Sequence, residues 1–325
     1  MPASATAKML SAIVFLSLTA GAGAQTAYPS QRITLIVPTQ AGGASDVVAR
    51  ILSQHLGKSL GQNVIVDNRG GASGNAGALA VVRAAPDGYT LLLAATNNIV
   101  INQHLMKSIG HDPLTELAPV ALVAEAPELV SISASFPAKT MKEFIDAVRQ
   151  KPGTYNYSTP GAGTVPHLSV ERLLRATGTK MVHVPFRGGA AMMTEVASGN
   201  VQMAIGSLAS IEPFRQAGNV RLLAISAPKR LGQLPDVPTL EETGWKNLEM
   251  SNWWAVMAPK GTPANVIALL NARLREAFAS ADATAQLEKL GIVTRSETVE
   301  YFEKFIQKEA TAWEAVVKDL GLQPQ

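Results

Sequence analysis

The sequence predicts an α/β protein built as two lobes with a central ligand cleft. Three observations lead there. Short apolar runs alternate with amphipathic stretches over most of the chain. Glycine-rich turns recur at one structural place, between an apolar run and the stretch that follows it. Two extended segments, residues 125–133 and 249–258, interrupt the alternation and offer two crossings between lobes. Lobe 1 is then residues 25–127 with 250–325, and lobe 2 is residues 128–249. Clefts at such interfaces are preferred ligand sites.

The elements follow in order. Residues 33–37 are apolar apart from Thr34 and are ended by Pro38, and the runs at 63–67 and 89–95 are similar. Runs of this kind suit strands buried on both faces, in a parallel sheet covered by helices. Residues 45–60 put Val48, Ile51, Leu52 and Leu56 on one helical face. Residues 33–67 therefore read as a β-α-β crossover, which 72–84 and 89–95 extend. Thr140 and Glu143 form a capping box that opens a helix to about Gln150. Strands at 155–158, 181–184, 201–205 and 221–226 then alternate with helices at 165–176, 189–197 and 208–217. Thr262 and Pro263 supply a cap and a first-turn proline for a helix to about Ala279. The last helix, near 298–320, carries Val299, Phe302, Ile306, Trp313, Val317 and Leu320 on one stripe, and Gly321 provides a left-handed C-cap. Alternation throughout places the chain in the α/β class.

Composition narrows the function classes. Lys8 is followed by an apolar stretch at 9–20 and by Ala22-Gly23-Ala24, the pattern of a secretory signal peptide cleaved before Gln25. That stretch is too short for a membrane anchor, which needs about 20 residues. No later apolar stretch reaches that length, so a soluble mature protein is expected. The sequence has no Cys, which removes disulfides, thiolate nucleophiles and Cys-ligated metals. The formal net charge of +3 becomes +2 without Lys8, too small an excess for nucleic-acid binding. The five His show no metal-ligand spacing.

Three loops concentrate the candidate chemistry. They are residues 38–46, with Thr39, Gln40, Gly42, Gly43, Ser45 and Asp46; residues 158–167, with Ser158, Thr159, Gly161, Gly163, Thr164 and His167; and residues 184–189, with Phe186 and Arg187. Each brings glycines and free backbone N–H groups to a helix start, where unpaired donors and the helix dipole attract anions. Glycine lets a ligand approach the backbone closely. A Gly-rich turn is also simply how chains turn; three of them, on both lobes, favour function.

Here the chain resembles a known family. Residues 28–38 (Tyr-Pro-Ser-Gln-Arg-Ile-Thr-Leu-Ile-Val-Pro), followed by Gly42-Gly43-Ala44-Ser45-Asp46, resemble the start of mature Bug receptors. These are the extracytoplasmic substrate-binding proteins of tripartite tricarboxylate transporters. Val66-Asp67-Asn68-Arg69, the Ala-Pro-Asp-Gly-Tyr-Thr-Leu-Leu-Leu run at 85–93, residues 161–167, 184–188 and 199–202, Trp253 and residues 258–263 continue the likeness in order. The resemblance implies a type II periplasmic-binding fold. It implies capture of a carboxylate through backbone N–H groups, hydroxyls and ordered water, with no cofactor. Thr39-Gln40 departs from the pattern, because such receptors usually carry an aromatic residue just after Pro38. The usual ligands of the family are therefore not assumed.

Single residues keep two readings. Ser45 reads as the N-cap of the first helix, with Asp46 in its first turn, and helix chemistry alone explains both. Thr164 caps the helix after it, yet its hydroxyl would face the cleft. Asn97 and Asn98 either bind a polar ligand group or cap the next helix. Arg187 pairs with a ligand carboxylate or with Glu195. One of Trp253 and Trp254 faces the cleft and the other the core, and Trp253 is placed in the site with Ser207. His55 is expected in the core, and His167 is expected to be neutral and structural.

The expected function is a periplasmic solute-binding protein, monomeric, that captures a small organic carboxylate. Its expected partner is a membrane permease or sensor. The alternative is an exported hydrolase or lyase acting on a small acid in the same cleft, with His167 and Asp46 as an acid–base pair. No Ser has the glycines of a hydrolase elbow around it.

Overall fold

The computed structural model describes residues 28–324. The expected signal segment and its cleavage point after Ala24 lie outside the described residues.

Strand β1 (Ile33–Val37), helix α1 (Ala44–Leu60) and strand β2 (Val64–Asn68) form the crossover read from the sequence. Strands β1 and β2 run parallel from Ile33↔Val64 to Val37↔Asn68. A 3-10 turn at Ala72–Gly74 leads into α2 (Asn75–Val82), and β3 (Thr90–Ala95) returns parallel to β1. A π-helical turn (Asn97–Ile101) and α3 (Asn102–Leu105) precede β4 (Leu117–Ser133), a strand of 17 residues.

The second half of the alternation is α4 (Met141–Gln150), β5 (Asn156–Thr159), α5 (Val165–Thr177), β6 (Val182–Pro185), α6 (Gly189–Ala197), β7 (Met203–Gly206), α7 (Leu208–Gln216) and β8 (Val220–Ser226). Strand β9 (Ser251–Pro259), α8 (Ala264–Ala279), α9 (Ala281–Glu288), β10 (Val293–Thr294) and α10 (Val299–Leu320) complete it. The strand order is β2-β1-β3-β9-β4-β7-β5-β6, with β8 and β10 also on β4.

Strand β4 joins two sheets. It pairs antiparallel with β9 from Leu117↔Pro259 to Pro127↔Ser251. From Glu128↔Ser226 onward it pairs instead with β8, and from Leu129↔Gly206 with β7. The partner changes between Pro127 and Glu128. Proline lacks the N–H that a ladder needs and sits at edges and irregularities. Pro119 likewise stands at a register shift. These two prolines made 117–124 unreadable as a strand, and the expectation began only at 125. The sheets are also mixed rather than parallel, because β9 enters antiparallel to both β3 and β4.

Two further expectations are corrected. Gly43, with φ −92° and ψ 177°, is the N-cap of α1, in place of Ser45. Pro263 is the N-cap of α8, so the proline precedes the first helical residue instead of being it. Thr140 caps α4 as read, accepting the N–H of Glu143 at 3.2 Å.

Helices cover both faces of each sheet. Val48, Leu52 and Leu56 of α1 pack with Leu270, Leu274 and Phe278 of α8 over one face of the β1 sheet. Phe302, Ile306, Trp313 and Val317 of α10 cover the other. Truncating a buried Phe such as Phe302 to Ala costs about 3–5 kcal/mol. On the second sheet, Phe144, Tyr157 and Leu173 lie on one side, and Met192, Val196 and Ile211 on the other. His55 is buried on α1 as expected, with Nε2 3.5 Å from Asp282 Oδ2.

Candidate functional site

A cavity of about 320 Å³ lies among the carboxyl ends of strands from both sheets. Four helices begin at its wall. Ala44 and Ser45 belong to the first turn of α1, Val165 to that of α5, Gly189 to that of α6, and Ser207 caps α7. Each helix start presents N–H groups without intrahelical partners and the positive end of a dipole. The local sequences explain the placement. Gly43, Thr164, Gly188 and Ser207 are the N-caps, small residues between a strand and a helix.

Of the residues proposed from sequence, Thr39, Gly43, Ser45, Asn97, Gly161, Thr164, Phe186, Arg187 and Ser207 line the cavity. Gln40, Gly42, Asp46, Ser158, Thr159, Gly163, His167 and Trp253 do not; Gln40 and Gly42 are exposed and the others are buried. Asp46 Oδ2 accepts from the Gly42 N–H at 3.0 Å and from Arg50 Nε at 2.9 Å, bracing the first loop. Burial works to raise its pKa, but the Arg50 and Gly42 hydrogen bonds outweigh that and hold it below the usual carboxylate range. The structural reading of Asp46 is the one the contacts favour.

His167 accepts the Gly163 N–H on Nδ1 at 3.1 Å and stacks on His183 at 4.2 Å. Burial lowers its pKa to about 4, so it is neutral at pH 7. His183 in turn contacts Thr159 Oγ1 at 2.7 Å. The Thr159 and Thr164 hydroxyls both donate to the Gly161 carbonyl, at 3.0 and 2.7 Å. Thr164 is the N-cap, but its side chain is spent on this turn rather than on the helix N–H groups.

The two tryptophans divide as strand alternation requires. Trp254 lines the cavity and donates from Nε1 to Ser45 Oγ at 2.9 Å. Trp253 faces the other way, donating to Glu309 Oε2 at 2.9 Å and packing edge-on against Phe302 and Phe305. Placing Trp253 in the site is corrected to Trp254, and Ser45 orients that indole instead of capping α1.

Arg187 is exposed at the cavity and forms no ion pair with a described residue, whereas Glu195 accepts from Asn200 at 2.9 Å. The surface pair Arg187–Glu195 is therefore not formed. Asn97 Nδ2 donates to the Ser73 carbonyl at 2.8 Å, as do Asn98 and Asn102 at 3.2 and 3.3 Å. These amides neither cap a helix nor stand free. They hold Ser73, which has φ +51° next to Ala72 with φ +46°, a strained conformation that persists only where neighbours impose it.

The 71–74 turn lines the cavity and was not among the residues proposed from sequence, where 71–77 reads only as a loose echo of a dinucleotide loop. Gly74 there has φ +89°, and a Cβ on it would meet Asn98 Nδ2 at 2.4 Å. Glu128 was also missed. It is buried on β4, lines the cavity, and has no hydrogen-bond partner for Oε2. Burial pushes its pKa up to about 8. Unpartnered Thr39 Oγ1 and Ser207 Oγ belong to the same cavity. Among the described residues, no group of three or more His, Asp or Glu is placed to hold a metal.

Contacts span the cavity from one sheet to the other. Ala44 N–H donates to Ser210 Oγ at 3.1 Å, Ser73 Oγ to the Ala162 carbonyl at 2.6 Å, and Gln40 N–H to the Arg187 carbonyl at 3.4 Å.

Known proteins are similar to this chain in sequence and in fold. Residues 48–322 match the family described as tripartite tricarboxylate transporter family receptor. Protein BugT of Bordetella pertussis is 33% identical over 318 residues, which is 97% of this chain and 98% of BugT. Among solved structures, R. palustris Rpa4515 with adipate is similar at a TM-score of 0.90 and 32% identity, over 92% of this chain and 100% of the other. MatC from Rhodopseudomonas palustris, with bound malate, is similar at a TM-score of 0.85 and 30% identity, over 89% and 100%. The two-lobed type II periplasmic-binding fold expected from the sequence is the fold these receptors share with it. By sequence and by structure, this chain belongs to the tripartite tricarboxylate transporter receptor family.

Proposed function

We propose that this chain is an extracytoplasmic receptor that captures a small organic carboxylate in the cavity and delivers it to a membrane permease. The convergence of four helix N-termini on one cavity carries the reading. That geometry favours an anion before any side chain is counted. The volume of about 320 Å³ suits a small metabolite. Adipate and malate in the related structures are of the same chemical class.

The cavity is poorly equipped for catalysis. His167 and Asp46, the acid–base pair of the enzyme alternative, stand behind the wall and are engaged with Gly163, Gly42 and Arg50. Glu128 and Arg187 are the ionisable side chains that line it. This supports binding without turnover. Export and cleavage after Ala24 complete the proposal and place the receptor in the periplasm. So does closure by rotation about the two crossings, near 127–128 and 250–251, with 25–127 and 250–325 moving against 128–249.

A thermal-shift screen with mono-, di- and aminocarboxylates tests it. A ligand at a hundredfold excess over Kd stabilises by about 2.7 kcal/mol. For a chain of this size that raises the melting temperature by several degrees, at about 2–4 °C per kcal/mol. No shift with any carboxylate at millimolar concentration would sink the proposal, and product formation from a bound acid would replace it with the enzyme.

A further inference from the structure

One acidic side chain sits in a cavity otherwise built to receive an anion. Glu128 is 1% exposed, lines the cavity, and leaves Oε2 without a hydrogen-bond partner. It is also the first residue of β4 after the change of partner, so its backbone is fixed by pairing with Ser226 and by donation to the Met250 carbonyl at 3.3 Å. A buried carboxyl without a partner is costly, and proteins normally satisfy such groups with a donor or a cation. No described residue does so here. Burial accounts for the raised pKa of Glu128, and neither Arg187 nor another described charge offsets it. The missing partner must then come with the ligand.

We infer that Glu128 is the specificity-determining residue for a cationic nitrogen, and that the ligand is an aminocarboxylate rather than a plain mono- or dicarboxylate. This rests on the carboxylate-receptor reading. The carboxylate of the ligand goes to the helix starts, and its ammonium goes to Glu128. A charged donor gives the stronger, charge-assisted hydrogen bond. A second ligand carboxylate could accept from Glu128 only while Glu128 keeps its proton, whereas an ammonium pairs with the ionised carboxylate. Thr39 and Ser207 can serve either end, because hydroxyls both donate and accept.

The test uses four six-carbon acids: hexanoate, adipate, 6-aminohexanoate and 2-aminohexanoate. Calorimetric titration of the mature protein at pH 7 should show one of the two amino acids binding about tenfold or more tighter than hexanoate and adipate. Repeating it in buffers of different ionisation enthalpy should show close to one proton released per bound amino acid, as Glu128 ionises on pairing. Glu128→Gln keeps the shape of the side chain. It should abolish the preference and the proton release, with the melting temperature of the free protein unchanged or raised. The inference is overturned if adipate or hexanoate binds as tightly as both amino acids, or if the preference survives in Glu128→Gln. Tight adipate binding would leave the receptor standing and remove only this role of Glu128. Binding by none of the four also overturns it, and the wider carboxylate screen then decides whether the receptor reading falls with it. The proton count in the wild-type protein stands even if the variant folds poorly.

Discussion

The backbone N–H of Ala44, in the first turn of α1, donates to the hydroxyl of Ser210, on α7, at 3.1 Å. The two residues are 166 positions apart, on helices that follow strands of different sheets, β1 and β7. The bond draws two helix starts together over the cavity. In the proposed closure it is one of the contacts made between the two lobes.

Ser210→Ala removes that bond and leaves the other helix-start N–H groups in place. One neutral hydrogen bond is worth about 0.5–1.5 kcal/mol. Affinity for the best carboxylate in the screen should fall about two- to tenfold. The loss should appear as faster dissociation, which stopped-flow measurement reads directly. Unchanged dissociation would mean that the contact contributes nothing to closure.

Gly43→Ala probes the same surface by bulk. Gly43 has an extended backbone that alanine adopts freely, so α1 should start normally. The added Cβ would stand 3.2 Å from the backbone N of Gly189, across the cavity. Overpacking of this kind costs about 1–3 kcal/mol, and here the cost falls on the closed form. The free protein should melt near the wild-type temperature, while the shift produced by ligand should shrink. A full ligand-induced shift in Gly43→Ala would contradict closure over this contact.

Closure itself predicts a change of size. Small-angle scattering should give a smaller radius of gyration with saturating ligand than without, as the two parts rotate about the β4 and β9 crossings. Identical profiles under saturation would reject the hinge.

His167 predicts a pH dependence of stability. Its folded pKa, lowered by burial to about 4, lies below the ordinary value near 6.5. The unfolded chain therefore takes up the proton first as pH falls. The stability is fully present above about pH 6.5 and is lost as pH drops toward about 4, by about 3 kcal/mol for this group. His183, stacked on it and also lowered to about 4, acts in the same window. His167→Gln should flatten the melting curve between pH 6.5 and 4 and leave carboxylate binding at pH 7 intact. Loss of binding at pH 7 in that variant, with the fold preserved, would put His167 back in the site.

Thr140 and Glu143, the apolar runs of β1 and β3, and the Gly321 C-cap were legible because each depends on near neighbours in the chain. A cap needs a hydroxyl beside a free N–H, and a buried strand needs a run of apolar side chains. The loops at the cavity were legible for the same reason, since Gly43 and Ser207 sit at strand-to-helix turns that any α/β chain aims at one edge of its sheet. The long strand β4 was not, because Pro119 and Pro127 interrupt the local pattern and only its partners β8 and β9 make it a strand.

The sequence by itself determined the α/β class, most of the alternating elements and the helix starts that line the cavity. Tertiary structure alone decided which side chains stand among them. Trp253 and Trp254 are neighbours in one strand and equally apolar, and alternation sends them to opposite faces. Pairing of Trp254 with Ala124 and Ala95 determines which face is the cavity. Glu128 reads as an ordinary exposed acid until β4 exchanges β9 for β8 beside it. A strand carries its period in its own residues, but its partners, far away in sequence, determine which side is inside.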